Sequence, residues 1–340
     1  STAQLAALES DDLNQFATDE ITQLSSLQIA GLKTDQLNAL STELLAALTS
    51  DQVKMLSTLQ VNKLTTAQLN ALKTEQLTQL NSLQISALTT GQLVNLASDS
   101  LKNLTTAQVA NLSSDQINGL TTTQFSLLMS QQAQGLTSSQ FASLSQAKLD
   151  SLSTDIISGL GSTQLKWLTA SQITNLTTDQ AKALTSDQLS AFTTAQMVAF
   201  STDALNTFSA DEISKLASNQ VASLTTPQLS KLTTDLLTAM TSDQVSKLTT
   251  AQLNNLTSDQ LSVLTTDQTA GLTTTQLALI TPANLAYLSN DVVTHLSTNQ
   301  LVSLTAAQVT GLTSDQASAL TSDQIVKMTT AQVAALETVD

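Results

Sequence analysis

The sequence repeats every eight residues, from Ser1 to Leu336, as 42 complete octads without an insertion or deletion. The eighth position of the octad is apolar in all 42 units, and the fifth is apolar in 41, with Thr269 as the exception. Gln fills the fourth position 31 times, and Ser or Thr fills the first position 33 times. Because a fixed period outweighs chain length as a guide to architecture, we predict one continuous array over 1–340 without separable domains.

Neither one long helix nor a simple strand fits a period of eight. Eight residues at about 100° each advance a helix by about 800°, so an apolar seam would rotate by roughly 80° per octad. In a strand, positions five and eight have opposite parity and would point to opposite faces of the pleat. A coil that bends between these positions still allows a β-solenoid, which stays open as the alternative fold.

A short helix in every octad fits better, because each octad carries the signals of a helix start. Ser or Thr at position one and Gln at position four have the spacing of a capping box. Position eight and the next position five have the spacing of a hydrophobic staple, as in Leu64 and Leu69. The capping pairs that we single out are Thr49 with Gln52, Thr177 with Gln180, and Thr249 with Gln252.

The charges and the glycines are also sorted along the octad. Twenty of the 27 acids stand at position three, and nine of the twelve Lys stand at positions six or seven. A helix dipole that runs along each octad favours this order. Six of the eight Gly stand at position seven, where a helix end needs either a permissive backbone or a close approach to a neighbour.

A helix of six or seven residues does not persist alone in water, so each octad must pack against other octads. We therefore predict an all-α solenoid with positions five and eight in the core and positions two, three, six and seven facing water. Three consecutive Phe at position eight indicate a locally wider core. No superperiod of two or three octads is consistent along the chain, so the number of octads per turn stays open. The predicted core includes Leu64, Leu69, Leu72, Phe192, Phe200, Phe208, Leu253 and Leu256.

Composition argues against several classes of partner. The formal charge is −15, with twelve Lys and no Arg, whereas nucleic-acid backbones and anionic lipids are bound by clustered cations. With no Cys, disulfides and thiolate metal sites are ruled out. No run of about 18 apolar residues occurs, so we expect no membrane insertion. We also expect no cofactor.

Few residues have the chemistry of a site. His295 is the single histidine and is expected to be solvated, so we predict that the chain is not an enzyme. Trp167 and Tyr287, at position seven, are expected to be exposed and to serve as isolated contacts at most. Stacked position-three acids could hold Ca²⁺, although stabilisation of the helix dipole explains them more simply. The candidate Ca²⁺ ligands are Asp235, Asp243, Asp259 and Asp267.

With the unit written as Thr-Thr-Asp/Ala-Gln-Leu-x-x-Leu, the chain resembles the octapeptide arrays of very large secreted or surface-associated bacterial proteins, often labelled adhesins. The resemblance implies an extracellular setting and carries over no functional residue. The end octads look like the middle ones, which predicts either a piece of a longer array or head-to-tail stacking of copies. We expect a self-assembling scaffold for a surface filament, a layer or an adhesin stalk. The alternative is a solenoid that binds a polymer, a glycan or ice.

Overall fold

The computed structural model describes residues 1–128 and 130–336, and for Ser130 the backbone alone. Within these residues all regular structure is helical, with one helix of four to seven residues in each octad. The predicted all-α array is therefore confirmed, and the β-solenoid alternative is wrong. No helix in the described part of the chain has the length and apolar character needed to span a bilayer.

The chain forms two compact units, Ser1–Leu168 and the part from Thr169 onward, which we call unit 1 and unit 2. Unit 1 contains, as α1 to α21, the helices Thr2–Ala7, Ser10–Leu13, Thr18–Gln23, Ser26–Ala30, Thr34–Ala39, Thr42–Ala47, Ser50–Lys54, Thr58–Lys63, Thr66–Ala71, Thr74–Leu77, Ser82–Ser86, Thr90–Val94, Ser98–Lys102, Thr106–Ala110, Ser114–Gly119, Thr122–Ser126, Ser130–Gln134, Ser138–Ala142, Gln146–Asp150, Thr154–Gly159 and Ser162–Leu165. Unit 2 contains, as α22 to α42, the helices Ala170–Thr174, Thr178–Lys182, Ser186–Ala191, Thr194–Ala199, Thr202–Leu205, Ala210–Lys215, Ser218–Ser223, Thr226–Ser230, Thr234–Ala239, Ser242–Ser246, Thr250–Asn254, Ser258–Ser262, Thr266–Ala270, Thr274–Ala278, Pro282–Leu285, Asn290–His295, Thr298–Val302, Ala306–Thr310, Ser314–Ser318, Ser322–Lys327 and Thr330–Leu336.

Each octad is one helical turn and a half followed by an extended break. In octad 65–72 the N–H of Leu69 donates to the carbonyl of Thr65 at 2.9 Å, and the N–H of Leu72 donates back to Leu69 at 3.3 Å. Leu72 then leaves the helix with φ −60° and ψ 134°, and Thr65 precedes its helix with φ −69° and ψ 159°. Two consecutive extended residues, at positions eight and one, therefore redirect the chain before the next helix begins.

The side chains at positions five and eight form the core of each unit. The predicted core residues are buried in both units: Leu64, Leu69, Leu72, Phe192, Phe200, Phe208, Leu253 and Leu256. The rings of Phe192 and Phe200 meet edge to face at 5.3 Å between centroids, and those of Phe200 and Phe208 at 5.5 Å. Position-eight side chains of consecutive octads therefore touch one another inside the solenoid.

The buried set is wider than we expected, because position four is buried as well. Gln52 and Gln244 are each only 1% exposed. The one polar residue at position five, Thr269, is also buried, and its hydroxyl donates to carbonyls of its own helix at Thr265 and Thr266. Burial of these polar groups requires hydrogen-bond partners, and the described part of the chain contains no buried side-chain N or O atom without one.

Helices stack in successive turns of the solenoid. Each packs on the helix three places later, as α6 does on α9 and α31 on α34. Hydrogen bonds between turns join residues 25 to 31 apart, as from Asn62 to Ala87 and from Gln68 to Leu40 and Leu37. One turn therefore takes between three and four octads. Because this is not a whole number of octads, the sequence shows no superperiod of two or three octads.

Close packing between turns, and not a special backbone conformation, explains glycine at position seven. No residue in the described part of the chain has a positive φ. A Cβ built on Gly271 would lie 2.5 Å from the Ser242 Oγ and 2.9 Å from the Ser242 carbonyl oxygen, in the preceding turn. At Gly91, by contrast, the nearest atom to such a Cβ is 3.9 Å away. The explanation by a permissive backbone was therefore wrong.

We expect Gly271→Ala to lower the free energy of unfolding by about 1–3 kcal/mol, because overpacking forces two turns apart. Gly91→Ala is the matched control. Gly91 lies inside α12, and its Cβ would meet no close atom, so we expect this change to be neutral or to stabilise by up to about 1 kcal/mol. Urea unfolding followed by circular dichroism measures both. Equal effects of the two substitutions would contradict the packing explanation.

Candidate functional site

The most elaborate chemistry in the fold is built around the Gln at position four. Its first role is local and is seen at Gln52, whose Oε1 accepts the N–H of Thr49 at 2.7 Å. The Thr49 hydroxyl in turn accepts the N–H of Gln52 at 3.2 Å. Because both groups are orphan donors at a helix start, the two side chains stabilise the beginning of α7. The other two predicted pairs, Thr177 with Gln180 and Thr249 with Gln252, form the same capping box.

The second role of the same amide is to bind the preceding turn. The Nε2 of Gln52 donates to the carbonyls of Ile21 at 2.9 Å and Leu24 at 2.7 Å. These carbonyls lie 31 and 28 residues earlier, at the end of a short helix. The Ile21 carbonyl also accepts the N–H of Leu24, whereas a residue that follows the helix, such as Leu24, has no partner for its carbonyl within that helix. A single side chain therefore caps the start of one helix and the end of another.

This arrangement recurs along both units, and we call it the glutamine ladder. The Nε2 of Gln84 donates to the Leu56 carbonyl at 2.7 Å, and the Nε2 of Gln244 donates to the Leu216 carbonyl at 2.7 Å. Most other Gln at position four make the same bond to the carbonyl 28 residues earlier. Sequence reasoning recognised only the capping half of this role. The missed signal is the ratio of Gln to Glu: a capping box accepts either, yet position four holds 31 Gln and two Glu.

Lys148 shows what happens when position four keeps the donor but loses the acceptor. The side chain is only 4% exposed, its Nζ donates to the carbonyl of Leu120, and the Nζ lies 5.9 Å from the centroid of the Phe125 ring. Burial lowers the pKa of Lys148, because desolvation disfavours the charged amine. Lysine thus supplies the bond to the previous turn, although it cannot cap the N–H of Ser145.

An Asn in the previous turn supplies the missing cap. The Oδ1 of Asn118 accepts the N–H of Ser145 at 3.1 Å, and its Nδ2 donates to the carbonyl of Ser143 at 2.8 Å. Asn118 stands at position six, 27 residues before the N–H that it caps. The helix that Lys148 leaves uncapped is therefore capped from the neighbouring turn.

An Asn at position six of the previous turn regularly replaces the helix cap of an octad that lacks Gln at position four. Seven octads have Asn at position six, and five of these precede by four octads a unit that lacks Gln at position four. In all five cases the Asn Oδ1 accepts the exposed N–H of position one. The pairs are Asn14 with Ser41, Asn70 with Ala97, Asn118 with Ser145, Asn206 with Thr233, and Asn254 with Thr281. The sequence thus contains a second signal of the register between turns, which we also missed.

We expect Asn206→Ala to lower the free energy of unfolding by about 1–2 kcal/mol, because the N–H of Thr233 and the carbonyl of Lys231 both lose a partner. Leu236, at position four of the same octad as Thr233, cannot cap. Introducing Leu236→Gln restores the local acceptor, so the cost of Asn206→Ala falls in that background. A double-mutant cycle in urea measures the coupling.

Asn62→Ala is the matched control for this cycle. Asn62 donates to the carbonyl of Ala87 at 2.7 Å, but the helix start at Thr89 is already capped by Gln92. We expect a cost under about 1 kcal/mol, since only one donor is lost. Equal costs for Asn62→Ala and Asn206→Ala, with no coupling to position 236, would contradict the compensation.

The outer surface carries the other predicted site residues. Asp235, Asp243, Asp259 and Asp267 are all exposed. Within residues 1–128 and 130–336, no group of three or more His, Cys, Asp or Glu side chains lies together in a way that could hold a metal ion. The geometry therefore lends no support to the Ca²⁺ interpretation, and the position-three acids lie in the first turn of their helices, as the dipole argument requires.

The single histidine, the single tryptophan and the single tyrosine all stand at position seven of their octads. His295 is exposed at the end of α37, with its Nδ1 2.7 Å from the carbonyl oxygen of Asp291. Tyr287 is 48% exposed, as expected, whereas Trp167 is half-buried. None of these residues forms part of the glutamine ladder.

Surface charges contribute little to holding the fold. Lys215 donates to Asp211 at 2.7 Å, and this hydrogen bond lowers the pKa of Asp211 and raises that of Lys215. Both side chains are exposed, so the pair is worth little to stability. The depressions of the surface are open grooves, such as the one lined by Thr18, Glu43 and Lys73. The buried amides, and not the surface, therefore carry the organised chemistry.

Comparison with known proteins agrees with this arrangement of repeats. A family model described as the ALTTAQ repeat matches residues 5–42, 29–66, 61–98, 95–130, 157–194 and 247–274, which together cover more than half of the chain. None of the curated proteins with which the sequence was compared is similar to it.

Proposed function

The chain belongs to the ALTTAQ-repeat family, and from this premise we propose that it is a structural scaffold of the cell exterior, not an enzyme, whose copies join head to tail. The observation that carries the proposal is the glutamine ladder. It places the hydrogen-bonding amides inside the solenoid, between turns. There the amides hold successive turns together and are shielded from solvent. A solenoid built in this way is suited to spacing other molecules or to forming a filament.

The repeated inter-turn face supports the step from solenoid to polymer. Every turn offers Nε2 donors on one side and helix-end carbonyls on the other, so the two sides are complementary. Two copies could join through the same bonds that join two turns of one chain. Contacts of this heterologous kind do not close on themselves and generate an open filament.

An extracellular place for this scaffold is also part of the proposal. It is supported by the resemblance to repeat arrays of secreted and surface-associated bacterial proteins and by the absence of Cys from the sequence. A surface filament, a layer and an adhesin stalk all use the same property, a long and regular spacer. Fractionation of cells that produce the protein tests this part independently of assembly.

We expect the purified chain to form elongated particles whose length grows with concentration, observed by electron microscopy and by light scattering after size exclusion. The double variant Gln4→Glu and Gln28→Glu keeps the capping oxygens, which accept from Ser1 and Ser25, and removes two amide donors from the first turn. We expect this variant to shorten the particles at least about tenfold, since a carboxylate facing carbonyls has no hydrogen to donate.

The matched control is Gln15→Glu with Gln23→Glu, which makes the same change of charge at two exposed position-seven residues. We expect the control to assemble like the original chain. A monomeric mass at every concentration would refute the filament. Equal shortening by both double variants would show that charge, and not the amide donors, governs assembly.

The alternative function, a module that binds a polymer, a glycan or ice, is supported by the exposed hydroxyls at position two of many octads. Thr122 and Ser258, for example, are exposed. The position-one hydroxyls are already engaged in helix caps, so the free hydroxyl surface is smaller than the sequence suggested. Discrete particles that bind such a ligand without assembling would favour this function.

A further inference from the structure

Unit 1 has four exposed large apolar side chains between residues 27 and 83. Among its described residues the large apolar side chains that stand open to solvent are Leu27, Met55, Leu59 and Leu83, at 65%, 46%, 57% and 70% exposure. We call these four residues the apolar patch. Scattered exposed apolar residues are ordinary, whereas a contiguous group indicates an interaction surface.

The apolar patch interrupts the rule that governs position three. This position holds an acid in 20 octads and Leu in only three, at Leu27, Leu59 and Leu83. These octads are the fourth, eighth and eleventh, so the gaps between them are four octads and three. A solenoid whose turns take between three and four octads brings such units to one side. Leu27, Met55 and Leu83 follow one another at intervals of 28 residues, the separation that also joins Gln68 to Leu40 between two turns, and Leu59 follows Met55 by half an octad.

Hydrogen bonds show that these octads lie against one another. Gln60, next to Leu59, donates to the carbonyls of Ala30 at 3.3 Å and Leu32 at 2.9 Å, at the end of α4. Helix α4 packs on α7, and α8 packs on α11.

Gln84, next to Leu83, completes the connection by donating to the carbonyls of Lys54 and Leu56, which flank Met55. The octads that carry the four apolar side chains are therefore neighbours in three successive turns of unit 1.

The charge around the apolar patch differs from that of the chain as a whole. The four octads that carry it, 25–32, 49–56, 57–64 and 81–88, contain Asp51, Lys54 and Lys63 as their charged residues, a net charge of +1. The whole chain has a net charge of −15. Two copies of so acidic a chain repel each other over most of their surface, but not at this place. Lys54 and Lys63 are both exposed beside the apolar patch.

We propose that the apolar patch is a lateral docking site for the same patch of a second copy of this chain. The four side chains pack against their counterparts across a two-fold axis. This inference rests on the proposed scaffold function and deepens it. Head-to-tail contacts give a filament its length, and the apolar patch joins filaments side by side.

The test replaces Leu27, Leu59 and Leu83 together by Asp. Asp is the residue that position three carries in most acidic octads, so the fold tolerates it, and circular dichroism should not change. In sedimentation velocity on the full chain, we expect this triple variant to raise the dissociation constant for lateral pairing at least about a hundredfold, since it removes the apolar contact and adds six charges to the interface. In electron micrographs, particles of the triple variant should have half the width of those of the original chain.

The matched control is Ala67→Asp, Thr123→Asp and Gln131→Asp, three exposed position-three residues outside the apolar patch. The control makes the same change of charge and should pair like the original chain. Equal weakening by both triple variants, or an original chain that shows no lateral pairing at any concentration, would overturn the proposal. Short particles that still pair side by side would refute head-to-tail assembly and leave lateral docking intact.

Discussion

The side-chain amide of Gln at position four is the interaction on which the solenoid depends. An octad supplies too few backbone hydrogen bonds to satisfy either end of its own helix. The Gln amide meets both needs, because its oxygen caps the helix to which it belongs and its nitrogen caps a helix in the preceding turn. Folding of one octad is thereby tied to the position of octads one full turn away.

This tie explains how such short helices can form a stable array. Burying two aliphatic side chains does not offset the conformational entropy of ordering eight residues, so an octad gains its stability from neighbours on the next turns. Octads that lack Gln at position four follow the same principle. Lys148 retains the donor half of the amide, Asn118 provides the acceptor half from another turn, and Glu212 retains only the acceptor. The chain tolerates changes at position four because the two halves can be supplied by different residues.

Features confined to one octad could be predicted from the sequence, and features that join turns could not. The helix starts could be predicted because the cap residue and its partner stand three residues apart, as Thr49 and Gln52 do. The core could be predicted because positions five and eight are almost invariably apolar. The period of the turns was hidden, since it is not a whole number of octads. The burial of Gln52, the role of Asn206 and the alignment of Leu27 with Leu83 all depend on that period.

The central claim is tested most directly by the free energy of unfolding of Gln244→Glu, compared with the original chain at neutral pH. Glutamate keeps an oxygen that accepts the N–H of Thr241, but it has no hydrogen for the carbonyls of Ile213 and Leu216. The Leu216 carbonyl loses the amide donor, the Ile213 carbonyl keeps only the N–H of Leu216, and both face a carboxylate instead. We therefore predict a loss of about 2–4 kcal/mol. A loss below about 0.5 kcal/mol, typical of a surface substitution, would show that the amide acts only as a helix cap and would contradict the account.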